Sequence, residues 1–298
     1  MLRPLASNPH CRIELSTRVT SVATSISLQG NPQIRITTSN ECHPFVFDEI
    51  VIAIPLGCLK NSHVRFNPPL CPSITQCIQQ SSISSYEKVY LAFSSAWWDG
   101  TDGDGPTLVH FLTPKYLPTG QPPFSLEIVT LSNPDTFQKQ ARPVIFVQTY
   151  GDCAAYIISL VRHHDRCSPE YIAILADFFK PYLALLPHYD ESNSACSPTA
   201  AIAAAWLDDE FSGFGSYTNF KTSDSKLGEV VLDEGVRAMR KGEPERGLWF
   251  AGEHVAPFVA LGTTTGAYWS GECAAMRIAA AHDQANGEKG MCDSALSN

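Results

Sequence analysis

The chain has 298 residues, of which 44% are hydrophobic and 17% charged, a composition typical of a globular protein. Its formal net charge of −9 argues against nucleic acid as a general partner and is compatible with a small cationic substrate. No apolar run reaches the roughly 18 residues of a membrane span, and residues 1–14 lack the apolar core of a signal peptide. We expect no membrane segment and a cytoplasmic or other intracellular location, the peroxisome included, although a targeting signal upstream would change this expectation.

The ten cysteines are scattered along the sequence and form no C-x-x-C pair. We therefore predict neither a zinc site nor a regular disulfide framework, and reduced thiols are the expected state. The group His163, His164 and Cys167 is typical of a surface loop, so no metal is predicted.

The first third of the chain is predicted to contain short strands and turns, at 12–15, 19–28 and 33–38. The apolar run 49–54 is typical of a strand that is buried on both faces, and it stops at Pro55. A helix over 72–82 and a strand over 88–93 follow.

The middle of the chain is predicted to contain four more strands, at 107–113, 125–131, 144–150 and 154–160. Ser168 and Pro169 then suit the N-cap and first position of a helix. An apolar strand at 200–207 and a loop with a short helix at 228–241 complete the pattern.

These elements predict an α/β plus α+β architecture in two interleaved parts. Residues 1–59 and 200–282 form one part, and residues 60–199 form an inserted domain with a mixed sheet. Residues 283–298 are polar and are predicted to be a flexible tail.

The segment 248–272 carries the most specific pattern of the sequence. An apolar strand ends in a turn that contains Gly252 and Glu253, and a short loop leads to a helix that starts near Thr263 and Thr264. This arrangement aims a carboxylate and a helix N-terminus at one place, a common way to hold a nucleotide or a flavin.

The segment 248–272 also resembles the C-terminal signature of the flavin-containing amine oxidases, the family of monoamine and polyamine oxidases and lysine-specific histone demethylases. Three further segments resemble the same family in the same order: DEIVIAIPLGCLK at 48–60, FNPPL at 66–70, and EKVYLAF at 87–93 followed by Trp97 and Trp98. The resemblance covers about 11–281. It implies that 1–59 and 200–282 are a Rossmann-like FAD-binding domain and that 60–199 bind the substrate.

Lys88 matches the family lysine that holds a water against flavin N5. Spacing alone describes an ordinary solvent-facing strand lysine. The resemblance instead implies a catalytic cation that assists the reoxidation of the reduced flavin by O2.

Five residue positions match the family's contacts to FAD. Glu253 is implied to accept hydrogen bonds from cofactor hydroxyls, and the Thr264 amide to face the flavin pyrimidine oxygen, with Gly252 and Thr263 beside them. Val19 matches the residue whose backbone touches adenine. The bland alternatives are a water-exposed turn carboxylate for Glu253 and ordinary β-core for Val19.

Trp206 and Tyr217 match a family stretch that places a tryptophan near the flavin and an aromatic wall beside the substrate amine. The opposite wall falls on Thr263, which implies a roomier site like that of polyamine oxidases. Ser216 stands where a cysteine would link the flavin covalently, so non-covalent FAD is implied. The alternative for Trp206 and Tyr217 is a core tryptophan and a turn tyrosine.

The implied activity is oxidation of an amine, most of all a polyamine or another primary or secondary amine, with reduction of O2 to H2O2. However, no G-x-G-x-x-G follows a strand in this sequence, so the FAD-binding domain is expected to be incomplete. The alternative is a non-catalytic remnant, or a half-protein that cannot hold FAD without another segment. A demethylase subunit ranks lower, because the sequence shows no long helical insert.

Overall fold

The computed structural model describes residues 8–285 apart from 28–30, 41–43, 102, 113–114, 116, 121, 167 and 220–225. Its helices are α1 Leu56–Lys60, α2 Pro72–Gln80, α3 Pro134–Phe137, α4 Gly151–Val161, α5 Pro169–Leu183, α6 Lys226–Lys241 and α7 Thr264–Ala285. Its strands are β1 Val19–Ile26, β2 Pro32–Thr38, β3 Phe45–Phe47, β4 Ile50–Ile52, β5 Arg65–Asn67, β6 Ser82–Ile83, β7 Tyr86–Ala92, β8 Leu108–Phe111, β9 Leu126–Thr130, β10 Val144–Tyr150, β11 Ala200–Ala203, β12 Thr218–Asn219 and β13 Leu248–Phe250.

The chain divides into two compact units. The first unit comprises Met1–Ser82 and Thr218–Asn298, and the second unit comprises Ile83–Tyr217. The interleaved plan matches the predicted order, but the boundaries lie near 82 and 217 instead of 59 and 199. Helix α2 accounts for the first difference because it packs against α6, and Gly235 of α6 leaves room for Cys77 of α2.

The first unit contains two small sheets. One has the strand order β3–β2–β1–β5, in which β1 is antiparallel to β2 and parallel to β5. The other pairs β13 with β4 in parallel, with Phe250 opposite Ile52. Helix α7 packs against β13 and against the short 3₁₀ turn Glu253–Val255.

The second unit is built on one five-stranded sheet with the order β11–β7–β10–β9–β8, antiparallel throughout. Helices α4 and α5 pack on one side of this sheet. Side chains that alternate along the strands, among them Val89, Leu91, Ile128, Ile145 and Val147, form a core with the apolar faces of the two helices. The other side of the sheet is only partly covered.

The mixture of helices and sheets confirms the predicted fold class, but some local predictions were wrong. The segment 154–160 is not a strand but part of α4, because Ala154, Ile157, Ile158 and Val161 are buried at helical spacing. Residues 12–15 form no strand, and 226–241 form one helix. The run 49–54 is not buried on both faces. Alternation along β4 buries Ile52 but leaves Val51 49% exposed.

Helix α7 continues to Ala285, so residues 283–285, which were predicted to start a flexible tail, are helical. The remaining positions, 286–298, and the discounted Cys167 lie outside the described residues.

Candidate functional site

The partly covered side of the second unit's sheet, here called the open face, carries polar and aromatic side chains. Successive residues of β7 point to opposite sides, so Lys88 lies on the open face while Glu87 and Val89 lie on the core side. The open face consists of Tyr86, Lys88, Tyr90, His110, Glu127, Phe146, Gln148 and Tyr150.

The ammonium group of Lys88 is surrounded by aromatic rings. Its Nζ lies 5.7 Å from the ring centroids of Tyr86 and Phe146 and 5.5 Å from that of Trp206. It forms no hydrogen bond or ion pair with any residue that the structure describes. The charge is therefore stabilised by the faces of rings, and its N–H donors stay available for another group.

Trp206 and Tyr217 both pack against Tyr86. The ring centroids of Tyr86 and Trp206 are 6.1 Å apart, and those of Tyr86 and Tyr217 are 5.9 Å apart with an edge-on angle of 65°. Tyr150 stacks on Tyr86, with its ring centroid at 5.0 Å from that of Tyr86. The structure thus brings together Lys88, Trp206 and Tyr217, the three residues that the family resemblance marked as catalytic.

Backbone hydrogen bonds fix Tyr217 beside Tyr86. The Ser216 amide donates to the Ser84 carbonyl at 3.1 Å, and the Ser84 amide donates to the Tyr217 carbonyl at 2.8 Å. Gly215 permits this approach, since a Cβ there would lie 2.1 Å from Ile83 Cγ2. The Ser216 hydroxyl also donates to the Ser84 carbonyl, at 2.9 Å.

A row of polar side chains crosses the open face. Gln148 lies opposite Lys88 in the sheet register, Glu127 lies opposite Gln148, and His110 lies opposite Glu127. Gln148 Nε2 donates to Glu127 Oε1 at 2.9 Å, and His110 Nδ1 is 3.5 Å from Glu127 Oε2. The row therefore places one carboxylate two strands away from the Lys88 ammonium.

The phenol of Tyr86 is tied to this row. Its hydroxyl donates to Gln148 Oε1 at 2.7 Å. Burial raises the pKa of Tyr86 above its ordinary value of 10.0, and the negative charge of Glu127 adds to the increase. Tyr86 therefore stays a neutral donor. Sequence reasoning missed Tyr86, Gln148 and Glu127, although their alternation and antiparallel pairing carried the signal.

In the first unit, Glu253 follows β13 and binds two separate chain segments. Its Oε1 accepts hydrogen bonds from the Thr218 amide at 3.0 Å and the Thr218 hydroxyl at 2.6 Å. Its Oε2 accepts one from the Gly262 amide at 2.9 Å. Glu253 is thus half-buried and not the freely exposed carboxylate of the bland alternative. One acceptor position on Oε2 is left for another donor.

Thr263 caps helix α7. Its hydroxyl accepts a hydrogen bond from the Gly266 amide at 2.9 Å, and its carbonyl accepts one from the Ala267 amide at 3.0 Å. The amides of Thr264 and Thr265 form no hydrogen bond to the part of the chain that the structure describes. These two N–H groups at the positive end of a long helix suit an electron-rich oxygen.

Gly252 allows the turn before α7 to close. Its φ of 138° lies in the region that favours glycine, and a Cβ there would lie 2.6 Å from His254 Cε1. The Gly252 amide donates to the Ser270 hydroxyl of α7 at 2.8 Å. Hydrogen bonds therefore tie Gly252, Glu253 and Thr263 to the start of α7, where Thr264 lies.

Val19 opens β1, where it pairs with Thr38 next to an irregularity in the register. It is half-buried in the first unit. The structure places it on a strand, as predicted, and its role toward adenine stays a prediction.

Two other properties concern the described residues only. They contain no group of three or more His, Cys, Asp or Glu side chains that is arranged to hold a metal ion. Among the described helices, none combines the length and the apolar character that crossing a membrane requires.

The residues of both assemblies fit a flavin by the chemistry of their donors and acceptors. The first unit offers two helix N-terminal amides and a carboxylate with one remaining acceptor position. The second unit offers a cation whose donors are free toward the described residues, set among aromatic rings.

Sequence comparison identifies relatives of parts of this chain. The chain is 33% identical over 81 residues to the lysine-specific histone demethylase 1 homolog 3 of Arabidopsis thaliana, which is 26% of this chain and 5% of the relative. It is 33% identical over 70 residues to polyamine oxidase 3 of Oryza sativa subsp. japonica, 24% of this chain and 14% of the relative. Protein FLOWERING LOCUS D of Arabidopsis thaliana is 24% identical over 224 residues, 75% of this chain and 24% of the relative.

Among solved structures, a putrescine oxidase mutant from a redesign of cofactor binding has the same fold with a TM-score of 0.57 at 17% identity. The similarity covers 88% of this chain and 48% of that one. The chain thus spans less than half the length of the relatives and the solved structure named here. A family model described as flavin containing amine oxidoreductase matches residues 1–279. The chain therefore belongs to the family of flavin-containing amine oxidoreductases.

Proposed function

We propose that this chain carries the amine-facing and flavin-facing residues of an FAD-dependent oxidase of small cationic amines. The observation that carries the proposal is the position of Lys88. Its ammonium lies among three aromatic rings on the open face, with no hydrogen bond or ion pair to a described residue. A cation kept in this state can hold a water molecule at a reacting centre.

A bound flavin supplies the two-electron acceptor for this chemistry. The substrate loses a hydride from carbon and a proton from nitrogen and becomes an imine. Water hydrolyses the imine to an aldehyde and an amine, and O2 takes up two electrons and two protons to become H2O2.

The aromatic residues would position the amine. Trp206 and Tyr217, which pack against Tyr86, would offer ring faces to a nitrogen that is charged in solution. The amine must lose its proton before oxidation, so the rate should rise with pH toward the pKa of the amine. Thr263 of the first unit is proposed as a further substrate residue, and its small side chain would suit a long substrate.

A carboxylate on the open face supports a substrate with more than one cationic nitrogen. Glu127 is 24% exposed in its side chain and accepts a hydrogen bond from the neutral Gln148. Among the described residues, a protonated His110 is the one ion-pair partner that would offset its charge. A polyamine is therefore favoured over a simple monoamine, while other primary and secondary amines remain within the proposed class.

The first unit would hold the cofactor without a covalent bond. The free amides of Thr264 and Thr265 would face the flavin pyrimidine oxygen, and Glu253 Oε2 would accept from a cofactor hydroxyl. Ser216 uses its hydroxyl in a hydrogen bond to Ser84 and offers no thiol for a flavin link. Val19 would contact the adenine.

The test is a flavin absorbance spectrum of the purified chain after incubation with FAD, followed by amine-dependent release of peroxide. The variant Lys88→Met should slow the reoxidation of reduced flavin by about a hundredfold. Lys139→Met is the matched control, because Lys139 is exposed at a 3₁₀ turn of the same unit and its loss should change nothing.

Two results would count against the proposal. Equal reoxidation rates for Lys88→Met and Lys139→Met would remove the role of Lys88. Failure of the folded chain to retain FAD would favour the alternative of a remnant or a half-protein, and restoration of flavin binding by a second polypeptide would identify the half-protein.

A further inference from the structure

Glu87 is the neighbour of Lys88 on β7, but it points to the opposite side of the sheet. Its side chain is 0% exposed and lies among the apolar residues of the core side. Its Oε1 accepts a hydrogen bond from the Leu207 amide at 2.8 Å, and its Oε2 has no partner among the described residues. Such a burial is costly for a carboxyl group and calls for a compensating role.

The partner of Glu87 is a tight turn of the backbone. Ala205 has a φ of 58°, in the left-handed region that an alanine rarely adopts, and the 3₁₀ turn Trp206–Asp208 follows directly. The Leu207 amide of this turn donates to Glu87, and the nearby amides of Ala205 and Trp206 also lower the pKa of its carboxyl.

The turn carries Trp206, whose ring lies 5.5 Å from the Lys88 Nζ and 6.1 Å from the ring of Tyr86. A second anchor lies at the surface, where Arg162 binds both carboxylate oxygens of Asp208 at 2.6 and 3.1 Å. Exposed ion pairs of this kind fix geometry weakly. Glu87 is therefore a fully buried side-chain anchor of the turn, beside the backbone bond from the Ala204 amide to the Lys88 carbonyl at 2.9 Å.

We infer that Glu87 is a positioning residue, which holds the 205–207 turn through Oε1 and thereby fixes the Trp206 ring over the Lys88 ammonium. Strand β7 thus contributes to the contact between Lys88 and Trp206 from both sides of the sheet. Lys88 lies on one side, and Glu87, which holds the turn with Trp206, lies on the other. The acceptor oxygen performs this role, and the negative charge is dispensable. The role of the Lys88–Trp206 contact in catalysis rests on the proposed function, whereas the position of the turn can be tested without a flavin.

The first test uses near-ultraviolet circular dichroism of the full chain. The contribution of Trp206 is the difference between the native chain and Trp206→Phe, since stacked aromatic rings give strong signals. Glu87→Leu should lose most of this difference below the unfolding transition. Glu87→Gln should keep it, because the amide carbonyl still accepts from the Leu207 amide. Asp208→Asn, which removes the charge of the surface anchor, should also keep it.

A purely structural role predicts another pattern, in which Glu87→Leu lowers the unfolding temperature and retains the full Trp206 signal. That pattern would overturn the inference. Equal loss in Glu87→Gln and Glu87→Leu would do so as well, because the charge and not the acceptor would then matter.

Hydrogen exchange keeps the inference testable if Glu87→Leu does not fold. The Leu207 amide should exchange slowly, and at similar rates, in the native chain and in Glu87→Gln. In Asp208→Asn its exchange should be at most about tenfold faster than in the native chain. Rapid exchange of the Leu207 amide in the native chain would refute the hydrogen bond. Retention of FAD and production of peroxide are judged separately, so loss of the proposed function leaves this result standing.

Discussion

Each of the two units buries an ionisable side chain that has one unpartnered polar atom, but the two groups have opposite chemistry. In the first unit the group is His254, 3% exposed, whose Nε2 has no partner in the described part of the chain. In the second unit it is Glu87, whose Oε2 is likewise unpartnered. Both lie directly beside a residue assigned to the site, Glu253 and Lys88. Burial favours the neutral form of each, so a base and an acid respond to pH in opposite directions.

His254 contributes stability that is lost in acid. Burial lowers its pKa from 6.5 to about 4. In the unfolded chain His254 therefore binds a proton below pH 6.5, whereas in the folded chain it binds one only below about pH 4. The contribution is complete above pH 6.5 and disappears as the pH falls through this window.

Glu87 contributes stability that is lost in base. Burial raises its pKa above the ordinary value of 4.5, the amides of Leu207, Ala205 and Trp206 partly oppose the increase, and Asp208 adds to it. The folded chain therefore keeps a proton that the unfolded chain releases. The contribution is complete below pH 4.5 and is lost as the pH rises through the raised pKa.

The comparison teaches that each unit places a buried ionisable group, whose neutral form is favoured by burial, directly beside a residue assigned to the site. Gly252 and His254 shape the turn that presents Glu253, and Glu87 shapes the turn that presents Trp206 to Lys88. Neither support touches the open face.

The largest effect should come from His254→Leu. The shift from 6.5 to about 4 corresponds to about 3 kcal/mol of stability that the native chain loses between these pH values and the variant does not. Urea unfolding at several pH values, with hydrogen exchange of peptides from 248–256, measures the difference between the two curves. Carboxylates titrate equally in both proteins and cancel. Parallel curves for the two proteins would show that His254 is not buried in its neutral form.

A packing change in the same unit should lower stability at every pH alike. A Cβ on Gly266 would lie 2.0 Å from the Ala260 carbonyl oxygen and 2.8 Å from Ala256 Cβ, so Gly266→Ala should cost about 1–3 kcal/mol. In the same helix, Gly271 has nothing within 4 Å of an added Cβ, and Gly271→Ala should stabilise by about 0.5–1 kcal/mol. Thermal unfolding of both variants at pH 5 and pH 7 separates packing from titration. If the destabilisation by Gly266→Ala depended on pH, the packing of α7 would be coupled to the titration of His254, and the expectation of an equal cost at both pH values would be wrong.

Sequence reasoning reached the parts of the site that depend on chain-local patterns. The strand with Lys88, the turn with Glu253 and the helix start at Thr264 were predicted from alternation, a turn signal and small residues, together with the family resemblance. The stretch with Trp206 and Tyr217 was also identified. Their grouping with Lys88 in one unit was not, because the predicted boundary at 199 separated them.

What the sequence could not provide is pairing between distant segments. Gln148 and Glu127 join Lys88 in one row only through the register of three strands. Glu87 is unremarkable in sequence, and its role needs the contact with a turn 120 residues later. The helix at 151–161 was misread as a strand because a short apolar run without polar partners looks alike in both states.

The smallest change in stability should come from Glu87→Gln. Its sign tests whether Glu87, like His254, is buried in its neutral form. The variant mimics the neutral acid, so it should match the native chain near pH 4, where both side chains are uncharged. It should be more stable than the native chain at pH 8. At that pH the native carboxyl either ionises in the core or stays protonated, and both lower the free energy of unfolding because the unfolded chain releases the proton freely. Thermal unfolding of the two proteins across this range gives the difference, and Glu127→Gln is the control, because Glu127 lies half-buried on the open face.

If Glu87→Gln is less stable than the native chain at pH 8 and equal at pH 4, the charged carboxylate is the form that the 205–207 turn binds. The two units would then bury their groups for different reasons, His254 as a neutral ring and Glu87 as an anion held by backbone amides.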